Sequence, residues 1–298
     1  MKLLTTAGAV LRLAIFLSLT MVAPGQDHAM GGAKPVTMMT GLGDLHHPVS
    51  TTNAGAQEFF DQGLRLIYAF NHDEAARSFQ KATELDPKLA MAYWGIAEAV
   101  GPNYNDPASE DRFKQAHEAI QKAVDLSGNA SDAERGYILA MAKRFPADPK
   151  SDRRKTAENY RDAMREVVKK HPDDLDAATL FAESGMVLHP WGLWHRDGTP
   201  EEGTEEIVAT LESVIKRDPD HLGALHYYIH AVEASNSPER ALAAANRLAA
   251  LAPAAGHIVH MPAHVYIRTG DYAAAVKTNQ QAAAVDRAYI ASSGVQGI

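Results

Sequence analysis

The chemistry this chain can offer is concentrated in two short stretches. One holds His226, His230 and Glu233, the other His257, His260 and His264. At 100° per residue of α-helix, each set falls within about 60° on one helix face. Imidazole and carboxylate together suit a divalent transition ion (Zn, Fe, Cu or Ni), and a site without thiolate does not strongly select the softer ions. One H-x-x-x-H pair arises often by chance; two such pairs, with His257 beside them, are a stronger signal. Several imidazoles facing one another repel if protonated, and a metal ion turns that repulsion into bonds. The competing expectation is a polar peptide groove whose histidines hydrogen-bond a partner.

Composition narrows the remaining classes. The chain of 298 residues has no cysteine, so disulfides, thiolate catalysis and Cys-based metal sites are excluded. A formal charge of −8 without any Lys/Arg run argues against nucleic acid as partner. No Ser-His-Asp arrangement, phosphate loop or nucleotide fingerprint is evident. Fourteen histidines, mostly in the second half, are the unusual feature.

The elements that position these residues are paired helices. From Ala54 onward the pattern is helix, turn, helix, with almost no β-branched alternation. Ala56 to Pro87 fits a 34-residue repeat, with Gly63, Ala75, Phe79 and Ala82 where two helices approach and Pro87 ending the second. Gly63 admits a close helix contact and Phe79 fills the gap between helices. "KRDPD" around Pro219 and "LAALAP" around Pro253 repeat the "ELDPK" punctuation, "KKHPDD" around Pro172 closes another unit, and "RTGDYAAAVKTNQQA" forms a turn plus second helix. Residues 131–172 are the most degenerate unit.

These motifs resemble the tetratricopeptide (TPR) family over residues 54–290. The resemblance implies an all-α, right-handed superhelical solenoid of antiparallel helix pairs, about six repeats long. It also implies that first helices line a concave groove, with ligand contacts at their second, fifth and ninth positions. Here the fifth positions are Trp94, Thr179, His226 and His260, and the ninth are Glu98, Glu183, His230 and His264. His257 takes a second position and Glu233 a twelfth. First helices of neighbouring repeats pack about 8–10 Å apart, so the two stretches should face each other. The expected ligands are His226, His230, His260 and His264, with Glu183 as carboxylate and His257 or Glu233 in support.

Two repeats carry insertions, near 101–107 and 189–203, and insertions in solenoids often fall on the binding face. Trp191, Trp194, His189 and His195 of the second should form a groove lid or an aromatic plug. Tyr93 and Trp94 are candidates to stack on a ligand, or core. His72 reads as a helix N-terminal residue. His46 and His47 should be solvated, and His117, His171 and His221 should occupy outer or loop positions.

Residues 1–25 read as a signal peptide: Lys2 and Arg12 supply positive charge, Leu13–Ala23 are apolar, and Ala23 and Gly25 precede a cleavage site before Gln26. The apolar run is too short to span a bilayer, so the expected location is periplasmic or secreted, with no membrane span after signal removal. Residues 26–53 read as a flexible lead-in and 291–298 as a tail. Without a polar capping helix after the last repeat, that end should be truncated or covered by self-association or another subunit. "LHPWGLWHRDGTP" and "GHIVHMPAHVYIRTGDY" are similar to exported bacterial multi-TPR proteins. The two function classes are a scaffold whose concave groove binds a protein or peptide partner together with a metal, and a metal-dependent hydrolase or oxygenase using the same cluster.

Overall fold

Each helix starts and stops on local signals. Asn53 caps α1 (Ala54–Tyr68) by accepting from the Ala56 N–H, and Ser131 with Glu134 forms a capping box on α5 (Asp132–Arg144). Asp174 caps α7 (Leu175–Met186), and His221, expected on an outer or loop position, caps α9 (Leu222–Val232) with its ring. A computed structural model describes residues 35–148 and 150–293 of the chain. The expected leader and most of the expected tail lie outside the described residues.

Between these helices run α2 (His72–Leu85), α3 (Ala90–Val100), α4 (Glu110–Leu126), α6 (Arg153–Lys170), α8 (Thr204–Arg217) and α10 (Leu242–Leu251). The last pair is α11 (Gly256–His260) and α12 (Pro262–Thr269), interrupted at Met261 by the proline that follows, against α13 (Tyr272–Ser293). Consecutive helices pack in sequence, giving six antiparallel-hairpin units from Ala54 to Ser293. Among the described residues the β content is one isolated bridge, Trp194 to Pro200, and no helix is long and apolar enough to cross a membrane. The all-α solenoid expected from the repeats is therefore present, and long loops separate α3 from α4 and α7 from α8.

Small residues set the helix separation. A Cβ on Gly63 would lie 2.6 Å from the Phe79 ring, and one on Gly95 would lie 2.4 Å from it. Phe79 thus occupies space left by glycines on two first helices, which ties the first repeat to the second.

The array also closes on itself. Helix α1 packs against α9, four repeats further on, and Gly223 permits this because a Cβ there would meet the Tyr68 ring at 2.5 Å. Tyr289 on α13 reaches Glu74 on α2.

Residues 35–53 differ from the flexible lead-in expected of them. They run as an extended segment whose backbone is read by side chains of α1 and α5. Gln62 accepts from Met39 N and donates to Thr37 O; Gln57 accepts from Val49 N and donates to His47 O. Arg65 donates twice to Leu45 O, Asp61 accepts from His47 N, and Glu134 accepts from Ser50 N. Leu42 is buried, and Gly41 O accepts from Ala254 N beyond α10. The segment straps the first repeat to the last.

Candidate metal centre

The centre begins at an unusual helix end. Phe70 N–H donates to Ile67 O and Asn71 N–H to Leu66 O, the paired bonds that end helices when the residue between turns left-handed. That position normally takes glycine; here Phe70 adopts φ 54, at a conformational cost of about 1–2 kcal/mol. Its ring lies parallel to His230 (5.7 Å, 15°) and His257 (5.1 Å, 28°), and edge-on to His226 (4.5 Å). Among the α1 carbonyls left without a helical partner, Tyr68 O accepts from His226 Nδ1 at 2.6 Å.

That contact recurs in kind around the cluster. His230 Nδ1 donates to Glu233 Oε1 (3.1 Å), His264 Nδ1 to Glu233 Oε2 (2.7 Å), and His260 Nδ1 to Asn279 Oδ1 (2.5 Å). Four imidazoles therefore have Nδ1 held by an oxygen, which leaves the Nε2 lone pair free for a ligand role. Nε2 of His226 lies 3.0 Å from Nε2 of His257, and Nε2 of His260 lies 2.9 Å from Nε2 of His264. Two ligands bonded to one ion at about 2.0–2.1 Å with angles near 90–110° stand about 3.0–3.4 Å apart. His230 Nε2 is buried and has no hydrogen-bond partner among the described residues, which leaves it open to a ligand role.

Electrostatics favour the neutral, ligating form of the buried rings. Burial, followed by the neighbouring imidazoles, pulls His226 and His257 well below the ordinary histidine range, and burial also lowers His230. Burial raises the Glu233 carboxyl, but hydrogen bonds from His230 and His264 outweigh it and hold the group at about 2. Glu233 is thus an anion beside His230, whose burial favours the neutral ring. His226, His230 and His257 lie within 4.8 Å of one another by their ligand atoms, as do His230, Glu233 and His264.

Both insertions contribute a wall. Tyr104 from the first is buried with its ring 5.3 Å from His230, and Trp191 from the second stands edge-on to His230 at 5.6 Å and 5.0 Å from Tyr104. Trp191 has φ 59 and remains 57% exposed, an outer cover on the site. Trp194 pins this insertion by donating Nε1–H to Ala231 O at the end of α9. His195 is exposed, with its ring beside Glu201 at 3.5 Å, and His189 is half-buried.

The expected carboxylate, Glu183, is elsewhere. It lies buried with Glu98 and Arg144, the last two paired at 3.2 Å. Burial, then the Glu98 charge, pushes Glu183 up to about 8 against the pull of Arg144. The first-helix positions that read as ligand contacts at Trp94 and Thr179 are core: both are fully buried, Trp94 edge-on to Tyr137 and Thr179 bonded to Leu175 O. Of the three candidate carboxylates, Glu98, Glu183 and Glu233, Glu233 alone stands with the histidines.

Two histidines expected to be bland are not. His47 and His221 both bond Asp176, whose carboxylate also accepts from Tyr68 O–H. With Asp174 this makes a third His/Asp group, but all four of its carboxylate oxygens are already engaged by Tyr68, Tyr137, His47, His221 and the Ala177 N–H. It is a structural knot rather than a ligand set. His72 is the first residue of α2, as expected; burial and then Arg112 drive it down to about 4. His117 bonds Phe145 O and His171 faces Asp132, away from the centre.

A chamber of about 890 Å³ adjoins the centre, with His257 and His260 in its wall. Met39, Leu42 and Phe70 give it an apolar side, while Asn103, Asn105 and Asp106 give it a polar one.

No family model matches the chain, and no curated protein matches it. Among solved structures it is similar to YrrB, a TPR protein with an unusual peptide-binding site, at 18% identity and a TM-score of 0.34, covering 69% of this chain and 90% of that one. A superposition this loose carries no argument; the repeat architecture rests on the six helix pairs themselves.

Proposed function

We propose that the protein is a helical-repeat metal protein whose centre, formed by His226, His230, His257, His260 and His264 with Glu233 as the orienting carboxylate, binds a divalent transition ion of the Zn, Fe, Cu or Ni group. The observation that carries this reading is the fixing of Nδ1 by oxygen acceptors on four histidines while Nε2 atoms meet at ligand spacing. Elemental analysis of untagged protein, with a His230→Ala variant beside it, tests it. Stoichiometric metal lost in the variant is expected; equal metal in both sinks the reading.

A second reading, a metal-dependent hydrolase or oxygenase, is favoured by the chamber that shares His257 and His260 with the centre. Three imidazoles leave an ion a free coordination position for water or substrate. A protein or peptide partner is proposed for the groove at the chamber, where Asn103, Asn105 and Asp106 offer hydrogen-bonding groups beside His257 and His260. Export to the periplasm or exterior is proposed from the Lys2/Arg12 and Leu13–Ala23 pattern. Self-association is proposed through the last pair, where Ile267, Tyr272 and Val276 stand at least half exposed.

A further inference from the structure

We infer that the centre holds two metal ions, not one. The inference rests on the metal reading above and divides its ligands between two positions. The first position belongs to His226, His230 and His257, whose ligand atoms form one group. The second belongs to His260 and His264, whose Nε2 atoms are 2.9 Å apart.

One ion cannot serve both. Atoms bound to a single ion at about 2.1 Å are at most about 4.2 Å from each other. Among the described residues, no group of three ligand atoms within 4.8 Å of one another joins a member of the His226–His257 pair to a member of the His260–His264 pair. His230 is the hinge between them, appearing with His226 and His257 in one group and with Glu233 and His264 in another.

The second pair suits a cation on its own account. His260 Nδ1 donates to Asn279 and His264 Nδ1 donates to Glu233, so both Nε2 atoms present lone pairs to each other. Two lone pairs at that distance repel unless a proton or a metal ion bridges them. A single proton would leave one imidazolium; an ion uses both lone pairs and needs further ligands from solvent or a bound molecule. Glu233 spans the two positions, bonded to His230 of one and His264 of the other. The chamber wall includes one histidine of each, His257 and His260, so a molecule in the chamber meets both ions, as in two-ion hydrolytic sites.

The test is a zinc titration of the chelator-stripped full chain, with cobalt(II) absorption as a second readout and circular dichroism to show that each variant is folded. Two saturable equivalents are expected for the wild type. His260→Ala/His264→Ala should retain one, and His226→Ala/His257→Ala should also lose one. One equivalent in the wild type, or a full count in the His260/His264 variant, overturns the two-ion inference and leaves the metal reading standing; no equivalent at all overturns both. If neither variant folds, the wild-type count alone decides.

Discussion

Tyr68 O and His226 Nδ1 are 158 residues apart in sequence and 2.6 Å apart in space. The end of the first helix thereby orients an imidazole in the fifth repeat, using a carbonyl that the helix leaves without an internal partner. The proposed centre depends on the repeats meeting across the array, not only along it.

Glu233 should be worth as much as a ligand. Glu233→Gln keeps the shape but weakens the hold on His230 and His264, and metal affinity should fall about 10–100-fold. Isothermal titration with zinc reads this directly. An unchanged affinity would mean that Glu233 does not orient the rings.

Two opposite pH dependences should be separable. Buried His226, His257 and His230 have folded pKa values below the unfolded value of about 6.5. The unfolded chain therefore binds more protons below that pH, and the metal-free protein should lose stability as pH falls from about 6.5. Glu183 works the other way. Its pKa of about 8 lies above its unfolded value, so its contribution is present below about 4.5 and is lost as pH rises towards 8, a term of a few kcal/mol. Thermal melts of Glu183→Gln should be flatter than wild type between pH 5 and 8. Parallel curves would refute the protonated Glu183.

Phe70 separates backbone cost from ring packing. Phe70→Gly and Phe70→Ala both remove the wall of the centre, but glycine accepts φ 54 freely. Phe70→Gly should therefore be the more stable of the two by about 1 kcal/mol, with metal affinity reduced in both. The reverse order in denaturant melts would show that the left-handed turn is unstrained.

Deletion of residues 35–50 should lower the melting temperature by about 5 °C or more, since each lost hydrogen bond contributes about 1 kcal/mol net. It should also weaken metal binding, because the strap joins Gln62 on α1 to the loop before α11. A truncated chain that melts and binds zinc like the full one would show the strap to be passive.

What the sequence revealed and what it hid follow one physical division. Helix pairs are written in local periodicity, in Gly63, Phe79 and Pro87, and these were legible. His226 with His230, and His260 with His264, were legible for the same reason, as neighbours on one helix face. Phe70 and Tyr104 carried no such signal: a phenylalanine in a left-handed turn and a tyrosine in an insertion look like any others until the chain curls. Glu183 misled because repeat register equates it with His230 and His264, while its true neighbour, Arg144, comes from α5. The strap was hidden because a Gly/Pro-rich stretch reads as loose whenever its backbone partners are side chains far along the chain.

An ordinary row of repeats unzips from its ends, each terminal unit leaving at the cost of one neighbour. Here Gly41 to Ala254, Tyr68 to His226 and Glu74 to Tyr289 join the head of the row to its tail. A circular string has no free end from which to unzip. Its first opening must break two junctions together, so hydrogen exchange in α1 and in α11 should rise in step, and one ion gained or lost at the seam should be felt by both.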